Sequence, residues 1–375
     1  MGHSQIKMHS LHKNIWEDGE NLIITSNRNS VIQKNINDFC LNSKLSNKII
    51  IPTSGSTDVP KWVILSKEAI INSAESVNSH LDINSDDKWL CCLPTNHVSG
   101  LSIFARAYVN SSTVCILEGK WNAKSFTESI NYNKITFSSL VPTQLHDIVE
   151  SGLAPNPDLR GLIIGGDHLD QRLHEKSLDL GWPILRTYGM TETCSQVATE
   201  PNQDEGLKLL NIWNVKININ GEILLKGDSL FEGYININTN QHVQLTPPSC
   251  ISGWFNTGDL GYLRDKELEI IGRGDQQIKI FGEKVNLKYL KSKISTIYGD
   301  AYTIVSYPDY RKGCKLLMVS DDNVNSMSTF DDYNSNAPPI EKVDELRIIK
   351  QIPRTELGKI NESKLHLILE KMIEA

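Results

Sequence analysis

The clearest chemical signal in this sequence is a run of hydroxyl side chains that ends in a lysine, Thr53-Ser-Gly-Ser-Thr-Asp-Val-Pro-Lys61. The run follows the apolar stretch Lys48-Ile-Ile-Ile-Pro52 and precedes a helix that we expect to begin near Ser66. A strand-to-helix loop of this composition suits a polyphosphate, because backbone N–H groups and hydroxyls donate to phosphate oxygens while the lysine neutralises their charge. The run lacks the Gly-x4-Gly-Lys-Ser/Thr pattern of the P-loop, so that mechanism does not transfer. Similar turns also occur without a ligand, and the run alone leaves both interpretations open.

A second polar segment, Thr187-Tyr-Gly-Met-Thr-Glu-Thr193, comes directly after the apolar run 183–186. Residues just beyond a strand of a parallel sheet face the usual ligand crevice. There, Glu192 would suit a magnesium ion, which prefers one or two carboxylates together with phosphate oxygens, and Tyr188 would suit stacking on a base. The alternative is an ordinary helix start, in which Thr191 is the cap and Glu192 faces the helix dipole.

Three further residues lie at turns later in the chain. Asp259, in Trp254-Phe-Asn-Thr-Gly-Asp259, suits hydrogen bonds from ribose hydroxyls, and Arg273 could donate to the same sugar. Aspartates that follow glycine commonly do no more than form turns. Lys359 lies on a glycine-containing turn before the C-terminal helix, where a lysine normally faces solvent. Singly, these residues indicate little.

Short apolar runs alternate with amphipathic stretches through the first half of the chain. The runs predict buried strands at 48–52, 89–93, 113–117, 135–141, 159–164 and 183–188. The stretches between them predict helices at 67–80, 98–109, 123–132, 142–151 and 170–179. Alternation of this kind is typical of a mainly parallel sheet covered by helices, so the sequence predicts an α/β protein.

The pattern changes after residue 212, where antiparallel hairpins are predicted. Asn220-Gly221 lies between two alternating runs, and a second hairpin is expected to turn at Asp265-Lys266. An antiparallel β subdomain should therefore complete a large N-terminal domain at residues 1–274. Residues 275–375 show a mixed α+β pattern that is long enough for a small C-terminal domain. Within it we expect a surface loop from Asp321 to Pro338 and a helix from Glu362 to Ile373.

Composition excludes several classes of function. The formal net charge is −7 without a concentrated basic stripe, which argues against a nucleic-acid binder. No apolar run approaches the ~20 residues of a membrane span, and no apolar signal-peptide core follows the N-terminus. The seven cysteines form no Cys-x-x-Cys pair, which favours free thiols in a reducing cytoplasm over disulfides or a zinc site. Cys91 and Cys92 lie in an apolar run, where burial is expected.

Taken together and in order, the four polar segments resemble the AMP-forming adenylating superfamily. Its members include acyl- and aryl-CoA synthetases, firefly-type luciferases and the adenylation domains of peptide synthetases. Gly165-Gly-Asp167 is similar to the family's adenine-side loop, and Ile278-Lys-Ile-Phe-Gly-Glu-Lys-Val285 is similar to the start of its mobile C-terminal domain. The resemblance implies a carboxylic acid as substrate, ATP with Mg²⁺, and coenzyme A as the co-substrate that accepts the acyl group.

The resemblance also implies a role for each matching residue. The residues implied to bind ATP are Thr53, Ser54, Gly55, Ser56, Thr57, Lys61, Gly165, Gly166, Asp167, Tyr188, Gly189, Asp259 and Arg273. The last two would clasp the ribose. Thr191 and Glu192 would serve phosphate and magnesium, and Asp275 would be the hinge of the C-terminal domain. Lys359 would contact the reacting carboxylate and the α-phosphate.

Within the superfamily, the sequence most resembles the o-succinylbenzoate–CoA ligases of menaquinone and phylloquinone synthesis. The resembling stretches are Leu93-Pro-Thr-Asn-His-Val-Ser-Gly-Leu101, Ser139-Leu-Val-Pro-Thr-Gln144 and Tyr188-Gly-Met-Thr-Glu-Thr-Cys-Ser-Gln-Val197. The substrate side chains would then be His97, Arg106 and Ser195. His97 is either a histidine satisfied under a loop or a gate between the adenylate and the thiol channel. Arg106 either pairs with a second carboxylate of the substrate or forms a surface salt bridge.

The sequence departs from the family pattern in three places. Asp58 and Trp62 stand where the family has glycine, and only 52 residues precede the hydroxyl-rich run, fewer than the family usually has. Two like charges 4 Å apart repel by ~4 kcal/mol at an effective dielectric of 20, so Asp58 is expected to weaken the phosphate loop. Lys61 and magnesium would offset part of that repulsion, which predicts a weakened loop and not an inactive one.

Three alternatives stay open at this point. The acceptor could be a free carrier protein, since the sequence ending at Ala375 predicts no fused carrier domain. The acid could be another aryl or fatty acid. Asp58 and the short N-terminal part also allow a non-catalytic nucleotide-binding protein. The sequence is compatible with a homo-oligomer.

Overall fold

Helices and strands alternate through the first half of the chain, as the sequence predicts. The computed structural model describes residues 14–17, 19–24, 30–53, 61–237, 243–274, 277–280, 283–309, 312–322, 324–355 and 358–373. The helices are α1 (Asn14–Glu17), α2 (Ser30–Asn42), α3 (Lys67–His80), α4 (Val98–Asn110), α5 (Ala123–Asn133), α6 (Pro142–Glu150), α7 (Gln171–Asp179), α8 (Leu287–Tyr298), α9 (Ser326–Asn336) and α10 (Glu362–Ile373). The strands are β1 (Leu22–Ile23), β2 (Lys48–Thr53), β3 (Lys61–Ser66), β4 (Lys88–Cys91), β5 (Thr113–Ile116), β6 (Phe137–Leu140), β7 (Gly161–Ile164), β8 (Ile184–Met190), β9 (Ser195–Thr199), β10 (Lys208–Leu209), β11 (Asn214–Ile217), β12 (Glu222–Lys226), β13 (Gly233–Ile237), β14 (Val243–Thr246), β15 (Cys250–Ile251), β16 (Trp254–Arg264), β17 (Glu267–Arg273), β18 (Gln277–Ile280), β19 (Glu283–Asn286), β20 (Tyr302–Asp309), β21 (Gly313–Ser320) and β22 (Glu345–Ile348).

The largest sheet is half parallel and half antiparallel. Strands β5, β4, β6, β7 and β8 lie side by side and parallel, and the order continues through β9, β10, β17, β16, β12 and β11 with antiparallel pairs. Consecutive residues of one strand enter different cores, Trp89 on one face and Leu90 on the other, because side chains alternate along a strand. The parallel half is therefore buried on both faces, and the predicted α/β class is confirmed.

A second sheet, in the order β1-β2-β3-β13-β14, corrects one local prediction. The hydroxyl-rich run joins two antiparallel strands, with Thr53 paired to Lys61, and does not lead directly into a helix. Four consecutive residues, Trp62 to Leu65, are buried and continue the sheet. The helix begins only at Lys67, after Ser66 caps it by accepting a hydrogen bond from Ala69 N at 3.0 Å.

Both predicted hairpins are confirmed. Gly221, with φ of 82°, closes the turn between β11 and β12. Asp265 and Lys266, with φ of 46° and 69°, form the turn between β16 and β17. Two left-handed residues in a two-residue loop match the twist of the flanking strands.

The C-terminal elements build two small cores of their own. One core includes Leu290, Ile304 and Met318, and the other includes Val305, Leu317 and Leu365. The helix predicted from Glu362 to Ile373 is confirmed. The predicted loop from Asp321 to Pro338 is wrong over much of its length, because α9 occupies Ser326–Asn336 and buries Tyr333.

All seven cysteines are free thiols, with Cys91 buried and Cys92 half-buried. In the part of the chain that the structure describes, none of the helices has the length and apolar character needed to cross a membrane.

Candidate active site

Two side chains from separate strands, Tyr188 and Arg273, contact the carboxylate of Asp259. Tyr188, in β8, donates its hydroxyl to Asp259 Oδ2 at 2.6 Å, and Arg273 Nη1 lies 3.5 Å from Asp259 Oδ1. The backbone N–H of Asp259 donates to Thr257 Oγ1 at 3.0 Å, which fixes the turn. Burial, followed by the charge of Asp259, raises the pKa of Tyr188 well above its ordinary value, so the phenol stays a donor. The structure therefore brings together Tyr188, Asp259 and Arg273 around one acceptor group.

Glu192 lies in the turn that follows β8. Residues Thr191–Thr193 form a single 3₁₀ turn with Met190 at its N-cap, and β9 begins at Ser195. The alternative of a helix start capped by Thr191 is therefore wrong. Glu192 Oε1 accepts from the hydroxyl of Tyr234 at 2.9 Å, and its carbonyl accepts from Phe231 N at 2.8 Å. Tyr234 lies on β13 of the neighbouring sheet and Phe231 lies just before that strand, so the turn is anchored at two points.

The hydroxyl-rich run is described only at its two ends. Thr53 Oγ1 donates to the carbonyl of Lys61 at 3.2 Å, and Lys61 Nζ lies 5.6 Å from the ring centroid of Tyr234. Residues 54–60, which include Ser54, Gly55, Ser56, Thr57 and Asp58, lie outside the described residues. Lys61, at the C-terminal end of the run, therefore lies beside Tyr234, the same tyrosine that contacts Glu192.

Gly189 permits a very close approach of two backbone segments. An added Cβ would lie 1.6 Å from the carbonyl oxygen of Ser195, a separation that no side chain can tolerate. Cys194 and Ser195 have φ of 53° and 118°, in the region that favours glycine. Backbone strain of this kind is often found at functional sites. The turn from Gly189 to Ser195 is therefore tightly determined.

Arg106 is a buried cation on α4. Arg106 is 2% exposed. Its Nη2 donates to Ser195 Oγ at 3.3 Å, and its guanidinium carbon lies 5.5 Å from the ring centroid of Trp89. Its Nε has no hydrogen-bond partner, and among the described residues no carboxylate forms an ion pair with it. Burial lowers the pKa of Arg106 to about 9, so the group is still charged at neutral pH. The alternative of a surface salt bridge is wrong for Arg106.

His97 is the N-cap residue of α4 and is half-buried. Its side chain makes no capping hydrogen bond. Nine residues along a helix correspond to a rise of about 13 Å, which separates His97 from Arg106 along α4.

The loop Gly165-Gly-Asp167 contacts the C-terminal elements. Gly165 packs so closely that an added Cβ would lie 2.7 Å from Thr187 Cγ2, and Gly166 has φ of 84°. Asp167 Oδ1 lies 3.7 Å from Lys288 Nζ on α8. Further along, Thr296 of α8 donates to the side chain of Asp170, and Arg172 Nη1 donates to the carbonyl of Thr296 at 3.1 Å. These contacts join α7 and its preceding loop to α8.

Lys359 is exposed on a turn that reaches the start of α6. An added Cβ on Gly358 would lie 2.5 Å from Thr143 Cγ2, so the turn packs against the residues that follow β6. Thr355 N donates to the carbonyl of Lys359 at 2.7 Å, which closes the turn. The predicted hinge, Asp275, lies outside the described residues, as does Gly282.

Tyr234 and Trp89 are site residues that sequence reasoning missed. Tyr234 follows a glycine at the start of a short strand, and nothing in its spacing relates it to Glu192. Trp89 belongs to an apolar run, where a buried core position is the ordinary expectation. Tyr234 reaches Glu192 only because the sheet that contains β13 lies against the turn that follows β8.

The fold and the site together define a member of the AMP-binding enzymes. Residues 44–235 match that family, a segment that contains the hydroxyl-rich run, Arg106 and the turn with Glu192. The match spans more than half of the chain, and the protein belongs to this family.

Individual relatives narrow the class further. The 2-succinylbenzoate–CoA ligase of Listeria monocytogenes serotype 4b (strain F2365) is 30% identical over 332 residues, covering 84% of this chain and 69% of the relative. The ligase of the same name from Staphylococcus aureus (strain MRSA252) is 30% identical over 339 residues, covering 84% and 66%. The o-succinylbenzoate CoA synthetase of Bacillus subtilis, solved in complex with its acyl-adenylate intermediate, has a TM-score of 0.73 and 27% identity over 84% of this chain and 68% of that one. The same synthetase with ATP and a magnesium ion has a TM-score of 0.72 and 27% identity, over 85% and 69%.

Proposed function

We propose that this protein is an ATP-dependent acid–thiol ligase that converts 2-succinylbenzoate to 2-succinylbenzoyl-CoA, a step of menaquinone or phylloquinone synthesis. The observation that carries the proposal is the convergence of Tyr188 and Arg273 on the carboxylate of Asp259, with Tyr188 in the strand that leads into the turn with Glu192. The names of relatives at 30% identity state this activity, and the alignment with one of them covers 69% of its length. The alternatives of a fatty acid, a carrier protein and a non-catalytic protein are outcomes of the experiment below.

The reaction needs two steps because a carboxylate is a poor acylating agent. In the first step a carboxylate oxygen attacks the α-phosphorus of ATP, the bond to pyrophosphate breaks, and an acyl-adenylate forms. In the second step the sulfur of coenzyme A attacks the acyl carbon and forms the thioester bond. The bond from that carbon to the phosphate oxygen breaks, AMP leaves with the oxygen and the electron pair, and the thiol proton passes to solvent. The protein contributes mainly by positioning the reactants and by preorganised charge.

The nucleotide is held by residues already in contact with each other. Asp259 accepts from the ribose hydroxyls while Tyr188 and Arg273 keep its carboxylate oriented. The loop Gly165-Gly-Asp167 lines the adenine, and Gly189 lets the backbone approach the nucleotide. The run from Thr53 to Lys61 donates to the polyphosphate.

Glu192 fits a magnesium ion that is bound together with ATP. The ion prefers one or two carboxylates with phosphate and water oxygens, and Glu192 presents one carboxylate whose Oε1 is oriented by Tyr234. When bound, magnesium neutralises charge on the phosphates as pyrophosphate departs. Thr191, in the same 3₁₀ turn, would donate its hydroxyl to the phosphates.

Residues 275–375 are proposed to act as a mobile lid that hinges at Asp275 and serves the two steps in turn. With the Gly358 turn packed on Thr143, Lys359 is at hand for the first step, where it stabilises the charge on the carboxylate and the α-phosphate. Rotation would withdraw Lys359 and bring residues 282–285 to the thiol. That rotation has to break the contacts of Thr296 with Asp170 and Arg172.

Arg106 supports a dicarboxylate as the acid. A cation that is 2% exposed and lacks a carboxylate partner among the described side chains is costly to bury, so a second carboxylate on the substrate would supply the missing charge. Ser195, which already accepts from Arg106, would donate its hydroxyl to the same group. His97 is proposed as the gate between the adenylate and the thiol channel.

A panel of acids tests the proposal directly. Purified protein is incubated with ATP, Mg²⁺, coenzyme A and one acid at a time, and AMP release is measured. We expect release with 2-succinylbenzoate and little with benzoate or a medium-chain fatty acid. If the protein prefers a fatty acid, the proposed substrate is wrong. If AMP release requires a carrier protein, the proposed acceptor, coenzyme A, is wrong. No acid-dependent AMP or pyrophosphate release would favour a non-catalytic nucleotide-binding protein.

A further inference from the structure

Tyr234 connects three parts of the site that are far apart in the sequence. Its hydroxyl donates to Glu192 Oε1 at 2.9 Å, and Lys61 Nζ stands 5.6 Å from the centroid of its ring. Its strand, β13, pairs with β3, and Tyr234 lies opposite Val63, two residues after Lys61. One side chain thus contacts both the end of the phosphate loop and the proposed metal carboxylate.

The surroundings of Tyr234 hold it in one place. Its ring packs on that of Phe231, with centroids 4.7 Å apart, and the backbone N–H of Phe231 donates to the carbonyl of Glu192 at 2.8 Å. Gly233 has φ of 155°, and an added Cβ there would lie 2.7 Å from Thr246 O. The backbone around Tyr234 is therefore held in two ways. Gly233 packs closely against β14, and Phe231 is hydrogen-bonded to the turn that carries Glu192.

The hydroxyl of Tyr234 acts as a fixed donor. A phenol carries a single proton, and the 2.9 Å hydrogen bond to Oε1 commits that proton to Glu192. A carboxylate with one oxygen held by a donor has its second oxygen aimed in a defined direction.

We propose that Tyr234 is a positioning residue for the magnesium–nucleotide complex, which orients the carboxylate of Glu192 through its hydroxyl and the ammonium of Lys61 through its ring. This inference rests on the proposed function, because the roles of Glu192 and Lys61 are assigned there. Removal of a group that orients a metal-binding carboxylate typically weakens metal affinity by about 10- to 100-fold. Removal of an aromatic ring beneath a cation is expected to weaken a binding constant that depends on the cation by roughly 2- to 30-fold.

The decisive variant is Tyr234→Phe, which removes one oxygen and keeps the ring. The measurement is the affinity of Mn²⁺ for the protein with a non-hydrolysable ATP analogue, read by electron paramagnetic resonance as loss of the free-ion signal. We expect about 10- to 100-fold weaker Mn²⁺ binding, with metal-free binding of the analogue unchanged. Tyr262→Phe is the matched control, because Tyr262 is 52% exposed on β16 and lies outside the site.

A second variant, Tyr234→Leu, removes the ring as well. We expect it to weaken metal-free binding of the analogue several-fold in addition to the Mn²⁺ effect, because Lys61 then loses its aromatic neighbour. Circular dichroism and the melting temperature establish that both variants are folded.

The outcomes separate this inference from the function beneath it. Wild-type protein that binds the Mn²⁺–analogue complex while Tyr234→Phe binds it equally well would overturn the positioning role and leave the ligase proposal standing. Wild-type protein that binds neither metal nor analogue would overturn both.

Discussion

Tyr188 and Asp259 are separated by 71 residues, yet the hydroxyl of Tyr188 donates to Asp259 Oδ2 over 2.6 Å. Tyr188 belongs to the last parallel strand of the large sheet, and Asp259 belongs to β16 in its antiparallel half. The hydrogen bond therefore fastens the two halves of the sheet at the point where the ribose is proposed to bind.

Asp259→Asn is expected to raise the KM for ATP while the KM for the acid changes little. The amide keeps the shape but loses the charge that Arg273 faces, and hydrogen bonds to charged groups contribute about 1.5–3 kcal/mol, or roughly 10- to 100-fold. ATP–pyrophosphate exchange measures both constants. Asp265→Asn, in the turn at the far end of β16, is the matched control and should behave like the wild type. Equal KM values for ATP in both variants would remove Asp259 from the nucleotide site.

Lys359→Ala is expected to separate the two half-reactions. Loss of a preorganised cation at the reacting centre should slow adenylation about 10²- to 10³-fold. Thiol transfer from preformed acyl-adenylate should stay near the wild-type rate, because the proposed rotation of the lid withdraws Lys359 in that step. Lys364→Ala, an exposed lysine on α10, serves as the control. An equal loss in both half-reactions would contradict the two-position lid.

Arg106→Met is expected to lose affinity for 2-succinylbenzoate while the protein keeps or gains thermal stability. Methionine keeps much of the volume and removes a charge that is buried without a described carboxylate partner, so the melting temperature should be equal or higher. The KM for 2-succinylbenzoate should rise roughly 100-fold, an effect of about 3 kcal/mol for leaving a buried carboxylate unpaired. The KM for an ester or amide of its distal carboxylate should not rise. Parallel shifts for both acids would exclude Arg106 from the acid pocket.

Asp322 is expected to make the C-terminal elements less stable in acid. Hydrogen bonds from Val324 N, followed by those from Asn325, lower the pKa of Asp322 from 3.8 to about 2. A carboxyl whose folded pKa lies below its unfolded pKa stabilises the fold above the unfolded value and loses that contribution as pH falls towards the folded one. The melting temperature of Asp322→Asn should therefore lie below that of the wild type at pH 7, and the difference should shrink as the pH falls from about 4 towards about 2. Asp331→Asn, exposed on α9, should show no such convergence, and a constant gap for Asp322→Asn would refute the assignment.

Elements with a strong hydrophobic period were predictable within one or two residues. The helices at 67–80, 98–110 and 123–133 have apolar faces and recognisable caps at Ser66 and Asn122. Helix α9 was not predictable, because it is polar and buries few large side chains other than Tyr333. Strand β3 was missed because its apolar residues run directly into the cap of the next helix.

The chemical types in the site were readable from single segments, but their contacts were not. Asp259 and Arg273 could be identified from the order of the motifs. The position of Tyr234 beside Lys61 could not, because it depends on the pairing of β13 with β3, in which Gly233 lies opposite Ile64 despite their large separation in the sequence. The burial of Arg106 was equally hidden. A charged residue on a helix normally faces water, and only the packing of α4 against Trp89 and Ser195 turns it inward.

The close approach of Gly189 to Ser195 limits how this enzyme could be re-engineered for new acids. Any other amino acid at position 189 would displace Ser195, which is the hydrogen-bond partner of Arg106. The same displacement would disturb the turn that carries Glu192. A saturation library across residues 187–197 should therefore return glycine at that codon in every active clone, whichever acid is used for selection. Variation in substrate preference would have to arise elsewhere, for example on α4 and β4, which lie outside the turn that carries Glu192.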